Sequence, residues 1–520
     1  MDVLANLATG FGIALTPSVL AYAFIGCLFG TLVGMLPGVG PLTGISLLLP
    51  VTYGLSPTVA MVMLAGVYYG AMYGGSTTSI LMRIPGEAAS VMTCVDGYAM
   101  TQQGRAGSAL AIAAIGSFIA GTVSVVALML LAPPLAAVAL KFGPPEYAAL
   151  LTLGLLVLAY LSGGSTLKTL IMALAGLFLG TVGIDPMSGY TRFSFDLPEL
   201  ADGLGVVPVA VGLFGISEIL LSARQASTLQ VKRPKLAELL PSRAEARASI
   251  GPIARGTVLG FVIGVIPGSA HIIASFVSYA VERRLSKHPE RFGHGAIEGV
   301  AGPESANNAA TSGAFVPLLA LGIPSGAVPA VMLGALMIHG ITPGPMLIVN
   351  RPDIFWGFIA SMYVGNVVLL ILNLPMVGLF VNLLRIPYTY LYPFILTLCL
   401  LGVYSINQST MDVWIAIACG GVGYVLRKFD FDTAPVVLGL ILSPMLELSV
   451  RQSLAMSGGD WGIFAHRPIA TSMLGVGAAL LAYNFWSALR QRADWRARVG
   501  LDGDSAAPDA ADARTGAPPA

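Results

Sequence analysis

The feature that most constrains this chain is a run of small polar residues, Glu304-Ser305-Ala306-Asn307-Asn308-Ala309-Ala310-Thr311-Ser312-Gly313, set in very apolar sequence. Interruptions flank it, Ile266-Pro267-Gly268-Ser269 before and Leu321-Gly322-Ile323-Pro324-Ser325-Gly326 after. Only 10% of the residues are charged and 56% are hydrophobic, whereas soluble domains carry about 25% charged residues. The fold class expected is all-α, a polytopic helical membrane protein. In lipid, polar and interrupted backbone is tolerated only where it is buried in protein or lines a wet cavity. The run therefore reads as a binding site at membrane depth. The 62 glycines and 34 prolines point to broken helices rather than simple rods.

Apolar runs long enough to cross a bilayer of about 30 Å occur near Ser108–Ala132, Tyr147–Leu161, Leu167–Val182 and Gly203–Leu221. They return near Phe355–Leu374, Tyr388–Tyr404, Met411–Leu426, Ala434–Val450 and Thr471–Leu489. Upstream of each set lie interrupted stretches, Phe24–Thr52 with Val67–Gly97, and Gly256–Ala280 with Ala301–Gly340. These align. Gly30-Thr31-Leu32-Val33-Gly34-Met35-Leu36-Pro37-Gly38 matches Gly260 to Gly268 at an offset of 230 positions, and Gly74…Ile84-Pro85-Gly86 matches Gly313…Ile323-Pro324-Ser325 at 239. Several matches in one order, each followed by a similar set of spans, indicate an internal repeat.

Basic residues set the expected orientation. Arg224, Lys232, Arg233, Lys235, Arg243, Arg247 and Arg255 precede the second repeat, Arg283, Arg284, Lys287 and Arg291 lie within it, and Arg490, Arg492, Arg496 and Arg498 follow the last span. With all three groups cytoplasmic, Gly256–Ala280 starts and ends on one side, so it is expected to be a re-entrant hairpin turning at Pro267-Gly268. Walking the spans backward puts Arg105 and Lys168 inside, and makes the Pro37-Gly38 hairpin enter from outside. Lys141, Arg192, Arg351, Arg451 and Arg467 fall outside. The expectation is an inverted repeat with two re-entrant hairpins. Residues 1–221 form the first repeat (a hairpin plus about five spans), 222–255 a basic cytoplasmic linker, 256–450 the second repeat, 451–489 an extra span, and 490–520 a cytoplasmic tail of disordered composition. Met1–Pro17 reads as an arm at the outer surface, with no basic signal-peptide region in Met1–Gly10.

Composition also excludes classes. Net charge is +1, which suggests no nucleic-acid partner. Cys27, Cys94, Cys399 and Cys419 are scattered, so neither a disulfide framework nor a transition-metal site is expected. No phosphate-binding Gly-Lys-Ser/Thr loop and no catalytic spacing of nucleophile, base and acid appear, so the chain reads as neither an ATPase nor a hydrolase.

Several further strings carry a resemblance: Tyr69-Gly70-Ala71-Met72-Tyr73-Gly74-Gly75-Ser76-Thr77-Thr78-Ser79, Asp96-Gly97-Tyr98, His288-Pro289-Glu290-Arg291-Phe292-Gly293 and Glu298-Gly299-Val300-Ala301-Gly302-Pro303-Glu304. With the motifs above, they make the chain resemble the large membrane (permease) subunit of the tripartite tricarboxylate transporters, TctA-type, from about Gly12 to Leu489. Gly302 and Ser325-Gly326 depart slightly from that pattern, which leaves specificity more open than fold. The resemblance implies a small membrane partner (TctB-type), a periplasmic solute-binding protein (TctC-type) that delivers a carboxylate, and uptake driven by a sodium ion or proton gradient across the bacterial inner membrane. No cofactor other than the coupling ion is implied. A standalone ion-coupled exchanger and a channel are the competing readings.

On that reading, Gly75, Ser76, Thr77 and Thr78 at an expected helix break offer hydroxyls and backbone N–H groups to a carboxylate; the same residue types also suit plain helix packing. Asn307 and Asn308 are the mirror-related candidates for substrate. Glu304, Ser305 and Asn307 are candidates for cation coupling, with a sodium site near Ser305 and Asn308. Glu304 also reads as a helix cap. The turns Pro37-Gly38-Val39-Gly40 and Gly268-Ser269 are expected to add backbone contacts. Arg83 reads as a substrate contact or as a partner of Glu87 one turn away.

Overall fold

A computed structural model describes residues 3–36, 39–161, 165–185, 187–222, 239–268, 270–383 and 388–499. The described residues are mostly helical. In order come α1 (Val3–Ala14), α2 (Pro17–Met35), α3 (Gly40–Thr52), α4 (Pro57–Met82), α5 (Val91–Gln102), α6 (Ala106–Ala139), α7 (Pro144–Leu161) and α8 (Thr166–Leu179). A two-residue antiparallel ladder, β1 (Gly183–Ile184) with β2 (Thr191–Arg192), closes the following loop. Then α9 (Val206–Ala210) runs through a π-helical turn (Val211–Ile216) into α10 (Ser217–Ser222). The second half has α11 (Arg243–Val265), α12 (Ala270–Leu285), α13 (Glu298–Gly313), α14 (Phe315–Leu321), α15 (Ala327–Ile338), α16 (Pro345–Asn350), α17 (Pro352–Asn373), α18 (Val377–Leu383), α19 (Tyr388–Asn407), α20 (Thr410–Lys428), α21 (Ala434–Met456), α22 (Ile463–His466) and α23 (Pro468–Val499). Among the described residues, six helices (α2, α6, α7, α11, α17 and α21) are long and apolar enough to cross a membrane.

The N-terminal segment is a helix, and α1 lies tightly on α17: a Cβ at Gly10 would sit 2.3 Å from the Trp356 carbonyl oxygen. The helix that opens the second half begins earlier than the apolar pattern suggested. Ser242 and Glu245 form a reciprocal capping box that starts α11 well inside the basic linker.

Small residues draw the central helices together, as is usual where lipid offers no hydrophobic drive between them. In the first half α2 lies against α4: a Cβ at Gly30 would be 2.4 Å from the Val67 carbonyl oxygen, and one at Gly34 would be 2.2 Å from that of Ala71. The second half repeats the contact between α11 and α13. There a Cβ at Gly260 would be 2.2 Å from the Ala306 carbonyl oxygen and one at Gly264 would be 2.4 Å from that of Ala310. These contacts preserve the sequence offsets of 230 and 239 positions. Toward the ends of the halves, helices cross over. In α8, Gly176 packs on the Val436 carbonyl of α21, while Gly212 in the π turn packs on the Ala416 carbonyl of α20.

The ion pairs fall into separate groups. Arg105–Glu245, Arg255–Glu282 and Arg427–Glu218 join residues from the group expected on one side. Arg192–Glu447, Arg451–Asp185 and Arg467–Glu146 join residues from the other. Glu218 and Glu447 thus end in ion pairs.

Candidate functional site

Both interruptions predicted at proline–glycine motifs are present, but they fall later than the polar residues suggested. In the first half α4 continues unbroken through Gly74–Ser79 to Met82. The hydroxyls there do not open the helix, because they bond back to its own carbonyls: Ser76 Oγ to Met72 O at 3.1 Å, Ser79 Oγ to Gly75 O at 2.8 Å and Thr78 Oγ1 to Gly75 O at 3.1 Å. The break comes at Arg83, which takes φ +60° as the C-cap, and at Pro85-Gly86. Gly86 fits there because its Cα faces the Gly34 carbonyl, which a Cβ would approach to 2.0 Å. In the second half Glu304–Gly313 lies wholly within α13, and the break follows at Gly322-Ile323-Pro324-Ser325-Gly326, with Gly322 at φ +74°.

The two breaks and the starts of α3 and α12 meet around one cleft of about 430 Å³. Its walls include Gly40 and Pro41 at the start of α3, Pro85 to Ala88 before α5, Gly268, Ala270 and His271 at the start of α12, and Ser325 to Ala327 at the start of α15. The first residues of three helices, α3, α12 and α15, therefore line one space. The N-caps of α3 and α15, Val39 and Gly326, make no side-chain cap. The exposed N–H groups at such ends carry partial positive charge and attract anions. Among the described residues no lysine or arginine lines the cleft. Its lining also includes Leu158 of α7, Thr169 of α8, the exposed Asp432 and Ala434 at the start of α21. Nearby, Lys168 Nζ donates to the Phe429 carbonyl at 2.6 Å.

The candidates from sequence divide between this cleft and the packed interior. Gly40 and Gly268 line the cleft. Pro37, Gly38 and Ser269 lie outside the described residues. Ser76, Thr77 and Glu304 line a separate small cavity of about 10 Å³. There Glu304, fully buried inside α13 and so not a cap, accepts hydrogen bonds from Ser76 Oγ at 2.5 Å and from Thr93 Oγ1. Asn308 Nδ2 bonds Ser117 Oγ at 2.7 Å and the Glu304 carbonyl at 3.0 Å. Ser305 is buried against Gly116. Gly75 packs on the Glu87 side chain.

Sequence reasoning missed Glu87 as a site residue. It is 7% exposed and lines the cleft. Its Oε2 accepts the Ala89 N–H at 2.7 Å and its Oε1 accepts from Asn307 Nδ2 at 3.3 Å. The signal available was a carboxylate just after Pro85-Gly86. The pairing expected with Arg83 is not formed. Arg83 is exposed, its guanidinium 6.0 Å from the Tyr98 ring centre. A second cavity of about 510 Å³ contains Arg192 and Glu447, but that arginine already forms a two-point ion pair with Glu447 at 2.8 and 3.0 Å.

Residues 20–438 match the model of the tripartite tricarboxylate transporter TctA family. The chain belongs to that family. It is a transporter subunit and not an enzyme. Among curated proteins it is 50% identical, over 95% of its length and 98% of the relative's, to an uncharacterized 52.8 kDa protein in the TAR-I ttuC' 3' region of Agrobacterium vitis. An uncharacterized protein in the TAR-II ttuC' 3' region of the same organism is 49% identical over 45% of this chain and 97% of its own length. No solved structure matches.

Proposed function

We propose that this TctA-family protein is the translocating subunit of a cation-coupled, binding-protein-dependent secondary transporter that imports tricarboxylates or related small organic carboxylates. The observation that carries this reading is the convergence of the N-terminal ends of α3, α12 and α15, with the Pro85–Ala88 segment, on one cleft that has no basic side chain among its described lining residues. Such a site holds an anion by backbone dipoles while leaving its charge to be offset by a cation, an arrangement typical of discontinuous helices in secondary transporters.

The repeated packing of α2 on α4 and of α11 on α13 supports an inverted repeat, with α2–α3 and α11–α12 as the two re-entrant hairpins. Segregated ion pairs support the orientation given by the basic residues, with the C-terminus in the cytoplasm, the N-terminus in the periplasm, and the protein in the inner membrane. In that orientation Asp432, an exposed lining residue of the cleft, lies on the cytoplasmic side. Alternating access exposes the same cleft to each side in turn. A sodium ion or proton supplies the driving force. The family implies a TctB-type small membrane subunit and a TctC-type periplasmic binding protein that delivers the acid.

The test is uptake of radiolabelled citrate, succinate or terephthalate into proteoliposomes holding the three components, with and without an imposed ion gradient. Gradient-dependent uptake that requires the binding protein supports the reading. Uptake by this chain alone would favour a standalone exchanger, and uptake indifferent to any gradient would favour a channel.

A further inference from the structure

The cleft already contains a carboxylate of its own. Glu87 occupies the N-terminal end of the segment leading into α5, accepting the Ala89 N–H as an incoming anion would. It shares the cleft with the acid assigned to it above, and among the described lining residues no lysine or arginine offsets either charge. The titratable groups around it add no fixed positive charge: Tyr68 from α4, His271 from α12 and Asp432 line the same cleft, and Glu304 lies behind it in α13. Two carboxylates confined together in a low-dielectric space cannot both stay ionised without large cost.

Asn307 is fully buried, and its Nδ2 donates to Glu87 Oε1 at 3.3 Å. A protonated Glu87 keeps this bond by accepting on its carbonyl oxygen.

We propose that Glu87 takes up the coupling proton as the substrate carboxylate enters the cleft. The step is a simple proton transfer: while the cleft is open to the periplasm, a proton from water there binds a Glu87 carboxylate oxygen, the acid keeps its own charge, and the pair travels with one positive charge added. Release to the cytoplasm reverses it. Asn307, on α13, ties the protonation state of Glu87 on the first half to the second half. This inference rests on the carboxylate-transport reading above.

The test is the pH dependence of binding by the full-length protein in lipid nanodiscs. Citrate, succinate and terephthalate are titrated by calorimetry in buffers of different ionisation heat, over a pH range where each acid is fully ionised. Wild-type affinity is expected to weaken by up to about tenfold per pH unit as pH rises, the limit for uptake of one proton, with matching proton uptake in the heats. Glu87→Gln is expected to bind the same acid with a flat pH dependence and no proton uptake. A wild-type affinity that is independent of pH, or one that follows sodium when sodium is replaced by choline, overturns the assignment without the variant. An unchanged slope in Glu87→Gln also overturns it. If none of the three acids binds the wild-type protein, the carboxylate reading itself falls and takes this inference with it.

Discussion

The backbone N–H of Gly268 donates to the carbonyl of Ser325 at 2.6 Å. This bond joins the segment between α11 and α12 to the break that precedes α15, so two walls of the cleft are fixed to each other. Gly268 makes the contact at φ +144°, a region that L side chains avoid, and a Cβ there would lie 2.9 Å from Leu161 Cβ. Gly268→Ala is therefore expected to cost about 1–3 kcal/mol of local strain and to weaken carboxylate binding while the protein still purifies as a folded species. Calorimetric binding beside a thermal melt checks this.

Ala88 faces the cleft and is exposed to it. Ala88→Trp should fill the space without touching the packed interior. Uptake is expected to fall to background with the melting temperature almost unchanged. Retained uptake would place the substrate elsewhere.

The two halves should respond alike to damage at equivalent glycines. Gly30 and Gly260 each bring a helix into contact with a partner backbone that cannot give way. Gly30→Val and Gly260→Val are each expected to destabilise by about 1–3 kcal/mol or more, the usual cost of overpacking. Thermal unfolding in a mild detergent reads both, and tolerance at one position with collapse at the other would argue against a shared architecture.

Asp185 sits in the loop between α8 and α9. A hydrogen bond from Arg451 (2.7 Å), joined by the N–H groups of Met187 and Ser188, holds its carboxyl well below the ordinary aspartate value. A depressed folded-state pKa gives stability that is complete above the unfolded value and is lost as pH falls toward the folded one. The loop should hold at neutral pH and loosen only below about pH 4. Melts across acid pH are expected to show that decline in the wild type and a shallower one in Asp185→Asn, which starts lower at neutral pH.

Hydropathy made α6, α7, α17 and α21 legible as spans, because a lipid-crossing helix must be apolar for its whole length. Pro85 and Pro324 likewise marked the breaks, since proline ends a helix. What the sequence concealed was the fate of the polar residues beside them. Ser76 and Ser79 satisfy their hydroxyls on carbonyls one turn back, so α4 stays intact where a break seemed due. Asn308 and Glu304 find partners on α6, α4 and α5, so they pack helices together instead of lining the cleft. Asn308→Ala should accordingly cost about 1–2 kcal/mol of stability. Glu87 escaped notice because only tertiary structure brings it beside Asn307, far along the chain.

Single cysteines placed one on each wall test the shared cleft most directly: Leu42→Cys, Ala88→Cys, Ile272→Cys and Ala327→Cys, with Leu204→Cys in the second cavity as the control. The native cysteines are buried or half-buried. The rate of labelling by a small charged thiol reagent is measured with and without the transported acid. The acid is expected to slow labelling at all four walls together and to leave Leu204→Cys unaffected. Protection at Leu204→Cys with none at the four walls would contradict the account.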